Sequence, residues 1–287
     1  MSINFNGRVA LVTGAGGGLG REHALALAAR GAKVVVNDFG RADAAVGTAS
    51  AADAVVAQIR AAGGEAIANH ASVTDEAAVT AMVQQAITAW GRIDILVNNA
   101  GILRDKSFTK MDIADFEAVM NVHVMGTMKP TKAVWDIMRA QNYGRIVVTT
   151  SSTGLYGNFG QANYGAAKGG MIGLINTLAI EGKRANVFAN AVAPMAATRM
   201  TEDVAPPEVL AALSPAHVAP VVGHLCSDEL TESGSVFVVG GGRVYRVAQF
   251  QTKGVTFAEV PSIEEVGRRW NEVSDLDGAV LGANPVG

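Results

Sequence analysis

The 287 residues include one cysteine, Cys226. A lone thiol cannot close an internal disulfide, so a reducing compartment is expected. No cluster of Lys or Arg occurs, and the formal net charge is −3. That leaves no basic field for nucleic acid, and none is expected as a partner. No apolar run approaches the length needed to span a bilayer, so no membrane partner is expected either. Met1–Asn6 is too polar and too short for a signal peptide, and Val9–Val12 has only the length of a buried strand. His23, His70, His217 and His224 show no ligand spacing with Cys226 or with paired carboxylates, so no metal is expected. Nothing nearby would activate Cys226, which reads as a small buried hydrophobe.

What is present is a large apolar fraction, 49%, against 17% charged residues. A chain of this length can form one large α/β domain or two small ones. Apolar, β-branched runs predict strands at Arg8–Thr13, Lys33–Asp38, Glu65–Asn69, Asp94–Asn98, Arg145–Thr150, Asn186–Val192 and Ser235–Val239. Several are continuous rather than alternating, as in a parallel sheet covered on both faces. Helices are predicted over Gly20–Arg30, Ala51–Ala62, Asp75–Trp90, Asp112–Gln141, Ala162–Gly182 and Pro215–Ser227. The alternation gives the α/β class: a doubly wound parallel sheet of Rossmann type over residues 1–242. No repeats occur, and the alanine-rich Ala42–Ala54 reads as a loop leading into a helix.

Residues 243–287 have another texture. Arg243–Gln251 alternates apolar and polar residues, Thr252-Lys253-Gly254 offers a turn, and Val255–Val260 reads as a return strand. Pro261-Ser262 then opens a helix through Val273. With too little apolar content for its own core, this hairpin and helix are expected to pack on the first domain as an appendage.

The first strand ends in Thr13-Gly14-Ala15-Gly16-Gly17-Gly18-Leu19-Gly20, with a helix directly after. Glycines let the backbone approach a pyrophosphate, which then meets free N–H groups at the helix N-terminus. Gly14, Gly18, Leu19 and Gly20 are the candidates in this turn. Any strand–helix corner can use glycines, but here the turn lies at the first such junction and the second strand ends in Asn37-Asp38. Asp38 is spaced to accept hydrogen bonds from the adenosine ribose hydroxyls and to repel a 2′-phosphate. Gly17 and Phe39 offer no cation for that phosphate, so the expected cofactor is NAD. Asn98-Asn99-Ala100-Gly101 closes the fourth strand. Its asparagines can stitch strands or meet a ligand in the crevice, although a plain turn has the same composition.

Tyr164 and Lys168 stand four apart on a predicted helix and project from one face. Ser151 precedes them at the end of the fifth strand. Hydride transfer between an alcohol and a carbonyl moves a proton at the oxygen, so it needs a positioned acid/base. A free tyrosine, with a pKa of about 10, is a poor base near neutrality. A nearby ammonium would lower it. Lys168 is expected to supply that charge and hold the nicotinamide ribose, while Ser151 would hydrogen-bond the substrate oxygen. Either piece alone is common on solvated helices and loops; their register with the glycine turn, Asp38 and the asparagines gives them meaning.

This combination, T-G-x-x-x-G-x-G, N-N-A-G, a serine and Y-x-x-x-K, resembles the short-chain dehydrogenase/reductase family over about Gly7–Gly242. Within it, VVVNDF (Val34–Phe39), GILRDKSF (Gly101–Phe108), YGNFGQANYGAAK (Tyr156–Lys168) and LAIEG (Leu178–Gly182) are similar to the (3R)-hydroxyacyl-CoA dehydrogenase domains of type 2 peroxisomal multifunctional enzymes. The resemblance implies oxidation of a (3R)-3-hydroxyacyl-CoA to the 3-ketoacyl-CoA, on fatty or steroid side-chain thioesters. It assigns Ser72 and Val73 to the adenine ring, Asn99 and Ala100 to the adenine-side ribose region, and Ala196–Arg199, with Ala196 and Thr198, to the carboxamide. Hydroxysteroid dehydrogenases and 3-oxoacyl-carrier-protein reductases share this machinery and stay as alternatives, as does a non-enzymatic dinucleotide sensor.

His123 stands where the wider family usually has asparagine, which leaves it open between a satisfied structural histidine and a member of a proton relay. Pro194-Met195 replaces the usual Pro-Gly. The ending at Gly287, in Asn-Pro-Val-Gly, leads to the expectation of a stand-alone cytoplasmic enzyme. Met111, Met120, Met125, Met128 and Met138 read as core or interface filler. The faces carrying Gly165, Gly169, Gly173 and Leu174 imply, by resemblance, a homodimer or homotetramer. Thr201–Ser214 is short for a lid and suggests an open mouth suited to a bulky thioester.

Overall fold

The computed structural model describes residues 3–40, 50–195 and 213–283. Strand β1 (Val9–Thr13) is buried at every position and pairs in parallel with β2 (Lys33–Asn37) and β4 (Ile95–Asn98). β3 (Ala66–Asn69), β5 (Gly144–Thr149), β6 (Val187–Pro194) and β7 (Val236–Gly240) extend the sheet in order β3-β2-β1-β4-β5-β6-β7, with β8 (Arg243–Val247) at the edge. The direction of winding reverses between β1 and β4, and ligands of such sheets bind at the carboxyl ends of the strands there. The seven strands predicted for the first domain all form, with boundaries differing by one or two residues.

Two apolar layers cover the sheet. One joins α1 (Gly18–Ala28), α2 (Ala51–Ala61) and α8 (Ala219–Leu225) through Leu27, Ile59 and Leu225. The other joins α3 (Glu76–Trp90), α5 (Gly126–Gln141) and α7 (Ala162–Gly182) through Met82, Met138 and Met171. At the amino end of the sheet the fully buried Asp94 carboxylate accepts from the Val9 N–H at 2.9 Å, from Arg8 at 3.1 Å and from Arg92 at 2.6 Å. It ties β1 to β4 at the end opposite the glycine turn.

The single helix expected over Asp112–Gln141 is interrupted. α4 (Ile113–Met120) passes into one π-turn at Asn121–Met125 before α5 begins. Pro130 sits inside α5 and lacks the N–H that would bond the Gly126 carbonyl, so the ladder is broken next to the wider turn. Pro215–Ser227 likewise divides into a 3₁₀ turn at Pro215–His217 and α8.

The tail also departs from expectation. The hairpin turn is Gly241-Gly242, where both residues have positive φ (55° and 75°), the pair of conformations a two-residue turn matched to strand twist requires. Val255–Val260 forms no strand; β9 (Phe250–Gln251) pairs instead with β10 (Val280–Leu281). Ser262 caps α9 (Ile263–Arg268) in a reciprocal capping box with Glu265, and α10 (Trp270–Ser274) follows. The chain divides into two compact units, Met1–Tyr245 and Arg246–Gly287.

Candidate active site

The glycine turn is shaped by what touches it. Gly14 has φ +62°, and a Cβ there would lie 2.8 Å from Ala100 Cα. A Cβ on Gly20 would lie 2.3 Å from the Gly14 carbonyl oxygen, and one on Gly16 2.7 Å from Asp38 Oδ2. The Gly16 N–H donates to Asp38 Oδ2 and the Gly40 N–H to Asp38 Oδ1, each at 2.8 Å. Both carboxylate oxygens are thus aimed, with lone pairs left for ligand hydroxyls. Gly18 opens α1 at φ +51°, followed by Leu19. This cradle fits a dinucleotide: the backbone can come close, N–H groups are free at the helix start, and a fixed carboxylate sits on the neighbouring strand.

Asn99 is used on the chain itself. Its Nδ2 donates to the carbonyls of Thr13 (3.1 Å) and Gly14 (3.0 Å), while Thr13 Oγ1 accepts from the N–H groups of Asn99 and Ala100. The motif therefore stitches β4 to the glycine turn. Val73 lies buried against Gly126, where a Cβ would come within 2.6 Å of Val73 Cγ2, and the Ser72 hydroxyl pairs with Thr74 at 2.8 Å. Ala196 and Thr198, with the rest of 196–212, lie outside the described residues.

The fifth strand delivers Ser151, which caps α6 (Ser152–Tyr156) by accepting the Thr153 N–H at 3.1 Å. α6 folds back on α7 through Gly154, where a Cβ would meet the Lys168 backbone carbon at 2.7 Å. Gly165 and Gly169, expected on an outward face, meet α6 of the same chain, while Gly173 has nothing within 4 Å of its added Cβ. This close approach brings Ser151, Tyr164 and Lys168 together. Ser151 stands close enough to the Tyr164 phenol to lower its pKa. Lys168 Nζ donates to the Thr149 carbonyl at 2.5 Å and stands 5.5 Å from the centroid of the Tyr164 ring.

Burial pushes the Tyr164 phenol above its ordinary value, Ser151 partly offsets this, and the Asp105 charge adds to it. Burial pulls the Lys168 ammonium down to about 7. A positive charge brought beside the phenol would act in the opposite direction and lower it.

Sequence reasoning missed several neighbours. The His123 ring meets Gly101 so closely that a Cβ there would lie 2.3 Å from His123 Cε1. His123 Nε2 lies 2.8 Å from the Ile102 carbonyl and 3.1 Å from its N–H, and Nδ1 is buried without a partner among the described residues. Burial, with the nearby Lys168 charge, holds His123 neutral, near 3. Asn163, fully buried, donates to the Arg104 carbonyl at 2.9 Å and accepts the Tyr164 N–H, fastening the segment after Gly101 to α7. No single local pattern marks these contacts, since each joins residues from different elements.

Residues 8–208 match the family model described as short chain dehydrogenase. The chain belongs to the short-chain dehydrogenase/reductase family, a family of oxidoreductases. It is 54% identical over 275 residues to a protein of Mycobacterium tuberculosis named a putative short-chain type dehydrogenase/reductase, covering 96% of each. It is 49% identical over 281 residues to the mouse peroxisomal multifunctional enzyme type 2, covering 96% of this chain but only 38% of the mouse protein. The structure of full-length peroxisomal multifunctional enzyme type 2 from Drosophila melanogaster is similar with a TM-score of 0.82 at 43% identity, over 98% of this chain and 48% of that one. Among the described residues, no helix is long and apolar enough to cross a membrane.

Proposed function

We propose that this chain is an NAD-dependent dehydrogenase that interconverts a (3R)-3-hydroxyacyl-CoA and its 3-ketoacyl-CoA. The convergence of Ser151, Tyr164 and Lys168 beside the glycine turn carries the chemical part of this reading. The similarity to the multifunctional enzymes, together with the segments GILRDKSF and YGNFGQANYGAAK, supports the substrate class.

When bound, NAD supplies the hydride acceptor and, as a pyridinium, a positive charge beside the phenol. The residues of the chain do the rest. Ser151 uses a lone pair on the Thr153 N–H, which leaves its own hydrogen for the oxygen shared by Tyr164 and substrate. Tyr164, as phenolate, takes the hydroxyl proton during oxidation; as phenol it returns one during reduction. Lys168, anchored on the Thr149 carbonyl, has remaining donors for the nicotinamide ribose. Asp38, aimed by the Gly16 and Gly40 N–H groups, would hold the adenosine ribose hydroxyls and disfavour a 2′-phosphate. α5 and α7 are the surfaces through which we expect a homodimer or homotetramer to form, and Gly170 and Gly173 leave open space on α7.

The test is a steady-state screen of 3-hydroxyacyl-CoA esters and free hydroxysteroids with NAD and NADP. Thioesters with NAD are expected to give the highest kcat/KM. Far higher values for free steroids would overturn the substrate assignment.

A further inference from the structure

Between the mouth of the crevice and Ser151 runs a chain of polar contacts that the proposed chemistry has not yet used. Asp105, on the segment after β4, accepts from Gln161 Nε2 at 2.7 Å. Gln161 Oε1 accepts from Thr153 Oγ1 at 2.8 Å and from Asn158 Nδ2 at 3.1 Å. Thr153 in turn donates its N–H to Ser151 Oγ.

The directions of the side-chain bonds follow from the outer end, and the last bond is fixed because a backbone N–H only donates. An ionised carboxylate only accepts, so it takes the amide NH₂ of Gln161 and turns the amide oxygen inward. That oxygen only accepts, so Thr153 must donate its hydroxyl hydrogen to it. Ser151 receives the Thr153 N–H and keeps its own hydrogen for the reacting oxygen.

The segment bearing Asp105 is also fastened. Lys106 donates its N–H to the Gly160 carbonyl, and its ammonium bridges Asp112 and Asp115, each at 2.8 Å. Arg104 lies 4.0 Å from Asp115. The two cations flanking Asp105 thus lean toward other carboxylates, and Asp105 keeps its charge with only an amide for a partner. Asp105 is exposed, while Thr153 is buried, so the series leads from solvent to the reacting group.

We propose that Asp105 is a specificity-determining residue and that Gln161 and Thr153 are positioning residues. Together they orient Ser151 and set a fixed negative charge at the mouth, so the crevice selects a neutral ester, thioester or amide over a carboxylate beside the reacting carbon. This rests on the dehydrogenase reading and deepens it: a 3-hydroxy acid is taken as its thioester because the free acid is repelled. That Asp105 also raises the Tyr164 phenol agrees with a charge whose field reaches the site.

The experiment uses the full chain with NAD, which cannot reduce a ketone, and a small ligand pair, acetoacetate and its methyl ester, with affinities read by calorimetry. The native chain should bind the ester more tightly than the anion, and Asp105→Asn, which keeps an acceptor for Gln161 but drops the charge, should narrow that ratio by about fivefold or more. An unaltered ratio in Asp105→Asn overturns the specificity role. Thr153→Val breaks the series without changing charge; it should lower kcat about tenfold while leaving the ester-to-anion ratio as in the native chain, and Thr153→Ser should restore kcat. Equal kcat for the valine and serine variants overturns the positioning role. The binding ratio needs no turnover, so absence of activity on any hydroxyacyl thioester would count against the proposed function alone.

Discussion

The His123 imidazole meets the Tyr164 ring edge-on, with centroids 5.3 Å apart and planes at 86°. His123 is itself held by Ile102 and by the bare backbone of Gly101, so the phenol is braced from the segment that follows β4. Gly101→Ala would drive a methyl into this ring. We expect a stability loss of about 1–3 kcal/mol and at least about a tenfold fall in kcat, read by thermal unfolding and steady-state kinetics. Adding His123→Ala to Gly101→Ala should recover much of the stability but not the rate, because the brace is then absent.

Tyr164→Phe removes the acid/base and keeps the ring. NAD affinity is expected to stay within a few-fold, while turnover falls by roughly two or more orders of magnitude. Near-normal turnover would reject the assigned role.

On the proposed reading, Asp38 sets the choice of cofactor. Replacing it by serine and the exposed Phe39 by arginine removes the repulsion and adds a phosphate-binding cation. The ratio of kcat/KM for NADP to that for NAD should rise by about a hundredfold, measured with one alcohol substrate throughout.

His23, buried in α1, has neither ring nitrogen partnered among the described residues, and burial holds it at about 4. The unfolded chain binds a proton near 6.5, where the folded chain does not, so stability falls with decreasing pH across the window from about 6.5 to 4. His23→Leu should flatten this part of the profile, and the two profiles should diverge by about 3 kcal/mol at its acid end, read by chemical denaturation. Parallel profiles would show that another group governs the acid limb.

Asp94 is a stability residue far from the crevice. Asp94→Ala takes the carboxylate from Arg92, leaves Arg8 with Asp228 alone and the Val9 N–H without its acceptor, at a cost of about 1–3 kcal/mol. The folded fraction should retain its KM for NAD, which separates this clamp from the site.

The parts legible in the sequence are those written in local spacing. Buried strands such as Val34–Val36 read as continuous apolar runs, and Tyr164 and Lys168 share a face because four residues make about one helical turn. The glycine turn is legible for the same reason. Gly101 was not, because its partner, His123, comes from another element. Likewise nothing near Asp105 in sequence announces Gln161. Pro130 was a visible signal for the break before α5, since a proline inside a helix unsettles the preceding turn. At the tail, Lys253-Gly254 has turn composition, but Gly241-Gly242 supplies two positive φ values in succession and so takes the hairpin.

The fold-back of α6 onto α7 at Gly154 makes one short stretch, Ser151 to Lys168, carry all the proton-handling groups. On the proposed reading the reactive unit is a cassette, assembled from neighbours in sequence, while the charge proposed to select the substrate comes from the distant segment around Asp105. Recognition can therefore drift under mutation, one loop at a time, without dismantling the machinery that performs the reaction.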